Sequence, residues 1–568
     1  MTDTASPVTT LADELVDVGF DQEPLMATLL GVDGQHGRLA DLGEPAEQEF
    51  RARYEGVIQR AEALDAGQLS AQDRVTRAVV IQQAQARVAQ IDSKLIEHTV
   101  TDFFVAPAPM LLTMLPMISL DTEAHAEAYL ARLAAIPAFL AAAMDRHRQG
   151  IAAGRLPVAH LVDSAIKHID RYLADPAHDP LLAPTPPEAL SADFRAGFAV
   201  RREQLLADTV RPAFTTYRGR LAEEVLPIGR PSDRPGLRWL PDGAATYQAL
   251  IGVHTTTDRT PEDLHNTGLA IIDKLAKEYA EIGKRVFGTE DLQEIFRRLR
   301  TDPALRWGTA EELLDAARAA IARAEAAAPQ WFGRLPSQRC EVRAVPENEA
   351  PGAAAAYYLQ PALDGGRPGI YFANTHRVTD RFRQEAESTA FHEAVPGHHF
   401  QLTIALELTD LPLLRRIADV NAYIEGWGLY SERLAAEMGL YSDDIARLGM
   451  LTADSMRAGR LVVDTGLHAK GWSRAQVLDY LRQNTPMSEV EIESETDRYI
   501  AAPGQALSYM VGRLELQRLR GVAEQALGDR FDIRAFHDLV LGNGPLPMSV
   551  LDEVVSDWAK DGGGPVQP

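Results

Sequence analysis

The sequence is poor in cysteine and in positive charge. Its 568 residues include one cysteine, Cys340, which excludes an intrachain disulfide and any cysteine-rich metal site. Lysine and arginine together number 57 against 81 acidic residues, which gives a formal net charge of -24. A surface of this sign repels phosphate backbones, so we do not expect nucleic acid among the partners.

Long apolar runs are also scarce. The most apolar one, 110–120, has about half of the roughly 20 residues that a membrane-spanning helix needs, and prolines flank or interrupt it. The first seven residues lack the basic segment and apolar core of a signal peptide. These patterns predict a cytoplasmic protein with no membrane partner.

Helical periodicity dominates what the sequence does contain. Apolar residues at helical spacing, separated by charged faces, occur in segments 11–18, 45–64, 72–99, 123–148, 157–173, 263–287, 309–327 and 505–528. A composition of 46% hydrophobic and 24% charged residues is typical of a globular protein. We therefore predict a mainly α, multi-helix fold with two lobes and a cleft between them.

Proline-rich loops and one non-helical stretch divide this helical pattern. The loops at 175–187 and 226–241 predict a helical supporting or covering subdomain over 1–230 and a catalytic subdomain over 231–561, followed by a disordered tail, 562–568. Residues 340–345 and 354–373 alternate aromatic and small side chains between turn signals. They predict a small β element in which 357–359 and 369–373 form a hairpin.

The chemistry concentrates in His392-Glu-Ala-Val-Pro-Gly-His-His399, which holds three histidines and one glutamate in eight residues. Zinc hydrolases assemble their sites from a histidine followed directly by glutamate, with further histidines one or two turns later. The imidazoles hold the metal and the glutamate, here Glu393, acts as general base. The motif therefore predicts a metal site around His392.

The spacing departs from the common H-E-x-x-H pattern, because Pro396 stands four residues after His392. In an unbroken helix His398 would lie on another face, and His399 would lie roughly 10 Å further along the axis. Pro396-Gly397 is a helix-breaking pair, however, and a kink there would return one histidine to His392. Either His398 or His399 is then the second ligand.

A third ligand is predicted downstream, in the apolar stretch around Glu425. A carboxylate in such surroundings needs a partner, and a metal is one. The simpler alternative is a salt bridge to an arginine. The acidic partner of a ligating histidine is expected to be Glu432 or Glu387, and the spacing does not decide between them.

Several segments carry a resemblance to a known family. They are the central motif, 357–375 with Arg367-Pro-Gly-Ile-Tyr-Phe-Ala-Asn-Thr, 425–432 (Glu-Gly-Trp-Gly-Leu-Tyr-Ser-Glu), 464–468 (Asp-Thr-Gly-Leu-His) and 502–509 (Ala-Pro-Gly-Gln-Ala-Leu-Ser-Tyr). The chain resembles the domain-of-unknown-function family 885, regarded as zinc peptidases with an H-E-A-x-P-G-H-H motif, over about 11–558. That family is similar to helical, gluzincin-like peptidases with H-E-x-G-H or H-E-x-x-G-H, and matching the Gly-His pair favours His398 over His399.

The resemblance also implies roles for residues outside the motif. Residues 369–374 would form the edge strand that receives an extended substrate. His468 and Tyr509 would hydrogen-bond the oxyanion formed by attack on the carbonyl. The residues expected to contact substrate are Arg367, Tyr371, Asn374 and Arg498, with Arg498 binding a carboxylate.

The predicted function is a zinc metallopeptidase with one Zn²⁺ per chain, which cleaves short peptides as a dipeptidase or aminopeptidase does. Alternatives are an amidohydrolase acting on a small metabolite, another divalent metal such as cobalt, nickel or manganese, and an inactive binding or scaffold protein whose site Pro396-Gly397 has spoiled. Glu393, which is no ligand, argues against the scaffold. Oligomeric state and the end of the peptide that is cleaved stay open.

Overall fold

The computed structural model describes residues 6–32, 34–347, 350, 354–361 and 367–564, and the predicted mainly α fold is confirmed. The first half contains α1 (Pro7–Gln22), α2 (Pro24–Leu29), α3 (Glu44–Glu62), α4 (Ala71–Asp92), α5 (Pro107–Met114), α6 (Glu123–Ala152), α7 (Ala159–Ala174), α8 (Ala192–Leu205), α9 (Arg211–Arg220), α10 (Gly243–Thr255), α11 (Pro261–Phe287), α12 (Leu292–Thr301) and α13 (Ala310–Ala327). Serine, threonine and aspartate side chains cap many of these helices; Thr122, for example, accepts from the His125 N–H at the start of α6.

The second half begins with three short strands and continues with helices that carry the predicted site. They are β1 (Glu341–Ala344), β2 (Ala356–Leu359), β3 (Ile370–Ala373), α14 (Ala386–Glu393), α15 (His398–Glu407), α16 (Leu413–Ile417), α17 (Asn421–Glu437), α18 (Asp444–Thr465), α19 (Arg474–Asn484), α20 (Glu489–Ala501), α21 (Ser508–Leu527), α22 (Ile533–Leu541) and α23 (Met548–Lys560).

The strands form one sheet in the order β1-β3-β2. The predicted hairpin is present, with β2 antiparallel to β3, although most of its turn, 362–366, lies outside the described residues. β1 pairs in parallel with the other edge of β3. The expectation that 369–374 forms an edge strand is therefore wrong, because both edges of β3 are already paired.

The hydrophobic core only partly follows the predicted boundary at residue 230. One cluster joins α5 to α9 with α2, within the first 230 residues. The largest cluster, however, joins residues of α1, α3 and α4 with residues of α14, α17, α21 and α23; Tyr54 and Val79 belong to the same core as Trp427. α1 contacts α16, and α4 contacts α10, α16 and α23. The first helices therefore support the second half directly. Of the predicted tail, residues 565–568 lie outside the described residues.

α6 has the length and apolar composition of a membrane-crossing helix. Half of its most apolar 18-residue window is buried inside the molecule. Its buried Arg132 and Arg146 donate hydrogen bonds to backbone carbonyls, and Arg146 also donates to the carboxylates of Glu47 and Glu97. These contacts are those of a central core helix, in which polar groups find partners within the protein.

α17 and α21 approach each other more closely than side chains would allow. A Cβ atom at Gly426 would lie 2.5 Å from the Cα of Gly512, and one at Gly512 would lie 1.8 Å from the carbonyl oxygen of Ala422. Glycine at both positions lets the backbones touch. Glu425, beside one glycine, and Tyr509, one turn before the other, are thereby held on neighbouring helices.

Candidate metal centre

The Pro396-Gly397 pair breaks the motif into two helices. α14 ends at Glu393 and α15 begins at His398. A Cβ at Gly397 would lie 1.8 Å from the carbonyl oxygen of His392, so the turn is too tight for any other residue. The Pro396 carbonyl accepts hydrogen bonds from Trp427 Nε1 at 2.9 Å and Ser431 Oγ at 3.3 Å, which attaches the break to α17.

This break brings His392 and His398 to the same carboxylate. Nε2 of each lies 3.5 Å from Oε2 of Glu425, and the three donor atoms lie within 4.8 Å of one another. The imidazole rings stand at 84° with centroids 4.8 Å apart. The two histidines and the glutamate therefore converge on one small volume, in the combination that the sequence predicts for the ligands.

The second nitrogen of His392 is held by Glu432. Nδ1 donates to Glu432 Oε1 at 2.9 Å, and Ser388 Oγ donates to Oε2 of the same carboxylate at 2.6 Å. Glu387, the other candidate, instead accepts from Arg323 and faces away. A carboxylate on Nδ1 orients the imidazole so that Nε2 points toward Glu425, the arrangement found in metal-binding histidines.

The charges in the cluster favour a cation between the donors. Burial opposes charge on His392, but hydrogen bonds to Glu425 and Glu432 outweigh it and raise its pKa to about 9. Burial likewise opposes ionisation of Glu425, yet the two imidazoles lower its pKa well below the usual range. The side chains thus stabilise positive charge at the point where they meet.

These residues fit a zinc ion by their donor set. Two imidazoles and one carboxylate are a common ligand combination of catalytic zinc, which leaves a coordination position open. Nδ1 of His398 is buried and finds no hydrogen-bond partner within the described ranges. A Cβ at Gly428 would lie 2.7 Å from the His392 ring, so α17 presents bare backbone to this imidazole.

His399 lies outside the cluster, although it was an alternative ligand. Its Nε2 donates to the carbonyl oxygen of Gln338, just before β1, and its Nδ1 accepts from the hydroxyl of Tyr358 in β2, both at 2.9 Å. A Cβ at Gly369 would lie 2.8 Å from the same Nδ1. Because both ring nitrogens are occupied, His399 serves to attach the sheet to α15.

Three predicted residues surround the cluster. Glu393 ends α14, and its charge helps to raise the pKa of His392. Burial and the charge of Glu393 both raise the pKa of Tyr371, in β3. The ring of Tyr509 lies 6.4 Å from that of His392, nearly parallel at 18°. The structure therefore places the general-base candidate next to His392 in the chain, Tyr509 beside the His392 ring, and Tyr371 within the field of Glu393.

His468 does not fit the oxyanion role expected of it. Its Nδ1 accepts from the backbone N–H of Leu237 at 3.1 Å and its Nε2 donates to the carbonyl oxygen of Tyr499 at 2.9 Å. Burial lowers its pKa to about 4. With both nitrogens bound to backbone, the imidazole has none left for substrate, and His468 is a structural residue.

The residues predicted to contact substrate differ in whether their side chains are already hydrogen-bonded within the protein. Asn374 is fully buried, and its amide bonds to the backbone of Ala350 and His376, so it has no substrate role. Arg367 lies just before β3, where its charge acts on the hydroxyl of Tyr358. Nη2 of Arg498 lies 3.4 Å from the hydroxyl of Tyr509, whose ring stacks on that of His392.

Residues 24–555 match the family described as "Bacterial protein of unknown function (DUF885)". The chain belongs to this DUF885 family. No curated protein matches it. It is similar over 98% of its length, and 99% of the other chain, to a "putative lipoprotein" from Colwellia psychrerythraea, with 28% identity and a TM-score of 0.90.

A second solved structure shares the fold. The "putative lipoprotein of unknown function" from Shewanella oneidensis has 18% identity and a TM-score of 0.74, over 97% of this chain and all of the other. The fold of this DUF885 protein is therefore shared over nearly the full length of both neighbours. Neither comparison tests an activity or a location, so the cytoplasmic location stays a prediction.

Sequence reasoning on this DUF885 chain missed several residues near the cluster. Gln505 accepts from Arg498 and donates to Asn421, one helical turn before Glu425. Arg457 and Arg460 lie over the ring of Tyr509. The sequence signal was present only for Gln505, which stands in the Ala-Pro-Gly-Gln motif; the arginines follow an ordinary helical pattern in α18.

Proposed function

We propose that this protein is a zinc-dependent hydrolase that cleaves peptide bonds in short peptides. The observation that carries the proposal is the convergence of His392, His398 and Glu425 beside Glu393. These three residues would hold one Zn²⁺ per chain. The ion, when bound, supplies Lewis-acid activation of water and of the substrate carbonyl.

Glu393 is the proposed general base. It follows the ligand His392 directly at the end of α14, and its half-buried carboxylate contributes to the field around that imidazole. In this role it accepts a proton from the attacking water and later passes it to the leaving amine. Glu393 follows a ligand in the chain but is not a ligand, and a binding or scaffold protein would have no evident use for its carboxylate.

Tyr509 is the proposed donor to the developing oxyanion. Its hydroxyl lies beside a guanidinium, and its ring packs along that of His392. A preplaced O–H aimed at developing negative charge stabilises the transition state more than the ground state. Tyr509 would carry alone the role that we expected it to share with His468.

The sheet favours a peptide over a small metabolite. β2 contacts α14 and pairs with β3 on one side, whereas its other side carries no strand within the described part of the chain. Its side chains are half-buried. An extended peptide adds to such an edge through backbone hydrogen bonds, which an amidohydrolase for small metabolites does not need.

The proposal is tested by Glu393→Gln, with Glu387→Gln as matched control on the same helix. We expect the wild type to contain zinc and to hydrolyse members of a panel of dipeptides to pentapeptides. Glu393→Gln should keep its zinc and lose at least about 100-fold in turnover, the usual worth of a general base. Glu387→Gln should retain turnover. A wild type that binds zinc and cleaves no peptide, or a Glu393→Gln variant with normal turnover, contradicts the proposal.

A further inference from the structure

Three guanidinium groups surround Tyr509. The Cζ of Arg460 lies 4.5 Å and that of Arg457 5.9 Å from the ring centroid, and Nη2 of Arg498 lies 3.4 Å from the hydroxyl. The chain as a whole carries a net charge of -24. A concentration of arginines beside the metal donors of such an acidic protein marks a place where negative charge is received.

The acidic groups nearby do not neutralise this arginine cluster. Arg460 and Arg498 share one carboxylate, Glu495, at 2.7 and 3.1 Å. Arg457 has Glu432 at 3.9 Å, and Glu432 is already bound to His392. Two positive charges therefore share one negative charge, and the third arginine is only loosely paired.

Part of the hydrogen-bonding capacity of the cluster is unused. Nη1 of Arg460 and Nε of Arg457 are buried and lack a hydrogen-bond partner among the residues that the structure describes. The Arg460 side chain is 4% exposed, whereas that of Arg498 is 22% exposed. Buried guanidinium N–H groups without a protein partner need another acceptor, and Arg498 is the member of the cluster that an incoming molecule reaches.

Arg498 is held in place by Gln505 and by the ring of Phe103. Gln505 Oε1 accepts from its Nη2 at 2.9 Å, and Gln505 Nε2 donates to Asn421 Oδ1 at 3.3 Å. The ring of Phe103, from the first half of the chain, lies 5.9 Å from its Cζ. Since Asn421 stands one turn before Glu425 on α17, the guanidinium is fixed relative to the metal donors.

The distance between Arg498 and the metal donors limits the length of a peptide that could reach both. Tyr509 spans the gap, with its ring 6.4 Å from His392 and its hydroxyl 3.4 Å from Arg498. An extended peptide advances roughly 3.4 Å per residue. A group bound by Arg498 therefore lies within a few residues of the bond held at the metal.

We propose that Arg498, supported by Arg460 and Arg457, binds the free carboxylate at the end of a short peptide. A guanidinium binds a carboxylate through charge-assisted hydrogen bonds, which also orient the peptide. The substrate class is then peptides whose carboxyl end lies one to three residues from the scissile bond. The inference rests on the proposed hydrolase function and adds the end of the peptide that is recognised.

The test uses three related peptides: the free acid and the carboxyl-terminal amide of one sequence, and the same amide with glutamate in place of the last residue. We expect kcat/KM for the free acid to exceed that of the amide by about 10- to 100-fold, the worth of a charge-assisted pair. Equal cleavage of acid and amide overturns the inference. If the glutamate amide is preferred to the free acid, the carboxylate comes from a side chain, and recognition of the chain end is overturned.

Variants assign the effect to Arg498. Arg498→Ala should lose most of the preference by slowing the free acid more than the amide, and Arg498→Lys should retain part of it. Arg482→Ala is the control, because Arg482 is an arginine of α19 that pairs with surface carboxylates. If both Arg498 variants keep the full preference, Arg498 is not the receptor. Unchanged unfolding midpoints establish that the variants are folded, and a misfolded Arg498→Ala leaves the decision to Arg498→Lys.

A binding measurement separates this inference from the proposed function. Calorimetry with the free acid and the amide, on wild type and Arg498→Lys, needs no turnover. Tighter binding of the free acid, reduced by Arg498→Lys, without hydrolysis would support the subsite and contradict the hydrolase. Hydrolysis with no preference in rate or binding would support the hydrolase and overturn the subsite.

Discussion

Two buried pockets of this protein each contain an imidazole and a carboxylate, but the first stabilises the charged forms of these groups and the second stabilises the neutral forms. In the first pocket, His392 and His398 contact Glu425, and Glu432 holds the remaining nitrogen of His392. In the second, Asp464 accepts from the hydroxyl of Tyr247 and the N–H of Gly504, while His468 binds only backbone groups. The carboxylate and the imidazole of the second pocket thus do not bond to each other.

The pKa values follow from these partners. In the first pocket, contact with carboxylates overcomes burial and raises the pKa of His392 to about 9. In the second, burial prevails, raising the pKa of Asp464 to about 7 and lowering that of His468 to about 4. His392 and His468 are both buried, at 3% and 1% exposure. The hydrogen-bond partners of each imidazole therefore decide whether its charged form is stabilised.

The largest expected effect separates two adjacent histidines. His398→Ala should weaken zinc binding by more than about 100-fold. Loss of a residue that only hydrogen-bonds a ligand already lowers metal affinity roughly 10- to 100-fold, and loss of a ligand should cost more. His399→Ala is the matched control and should keep its zinc, since both its nitrogens bind the sheet. Elemental analysis after dialysis against a weak chelator checks both. Zinc lost from His399→Ala and kept in His398→Ala would reverse the assignment.

A second prediction concerns pH and the Asp464 pocket. The folded-state pKa of Asp464 is about 7, above its ordinary 3.8, so the folded protein binds the extra proton between these values. Stability from this group is therefore lost as pH rises from about 4 to 7. The side chain introduced by Asp464→Asn stays neutral at every pH. The free energy of unfolding of Asp464→Asn should therefore rise relative to that of the wild type across this pH range, by up to about 4 kcal/mol. Urea unfolding at several pH values measures the difference; a pH-independent difference would contradict it.

A third prediction tests whether His468 is structural. His468→Ala removes the acceptor of the Leu237 N–H and the donor to the Tyr499 carbonyl, both buried. We expect a loss of about 2–4 kcal/mol in the free energy of unfolding, with zinc content unchanged. Denaturant unfolding and metal analysis of the same sample check the two statements. A normally stable variant without zinc would place His468 in the first pocket instead.

The smallest effect is expected at the outer carboxylate. Glu432→Gln keeps the shape of the side chain but removes the charge that orients His392. Zinc affinity should fall by roughly 10- to 100-fold, less than for His398→Ala. Competition with a chromogenic chelator measures it. Glu387→Gln, at the acid that faces away, should leave the affinity unchanged.

The sequence predicted local features well and distant pairings poorly. Helices follow from apolar periodicity, the hairpin from its turn, and the return of a histidine to His392 from the break at Pro396-Gly397. β3 is the central strand because β1 pairs with it in parallel. Parallel strands are not joined by a short turn, so the residues near β1 carry no signal of this pairing. The structural role of His468 could not be predicted from the sequence, because its backbone partners, Leu237 and Tyr499, are remote along the chain.

Contacts that cross the predicted boundary near residue 230 were missed for the same reason. α1 and α4 have the pattern of ordinary amphipathic helices, and nothing in their own residues specifies that α1 packs on α16 or that α4 packs on α10, α16 and α23. Likewise, no local pattern in α18 shows that Arg457 and Arg460 meet Tyr509. Such contacts are set by tertiary packing, which periodicity does not encode.

The close crossing of Gly426 and Gly512 has a consequence for motion. Two helices in backbone contact have no side chains between them that could change rotamer and let them slide. We therefore expect Glu425 and Tyr509 to move together as one rigid unit. If the proposed function holds, a movement that admits substrate would leave the spacing between the proposed metal ligand Glu425 and the proposed oxyanion donor Tyr509 unchanged.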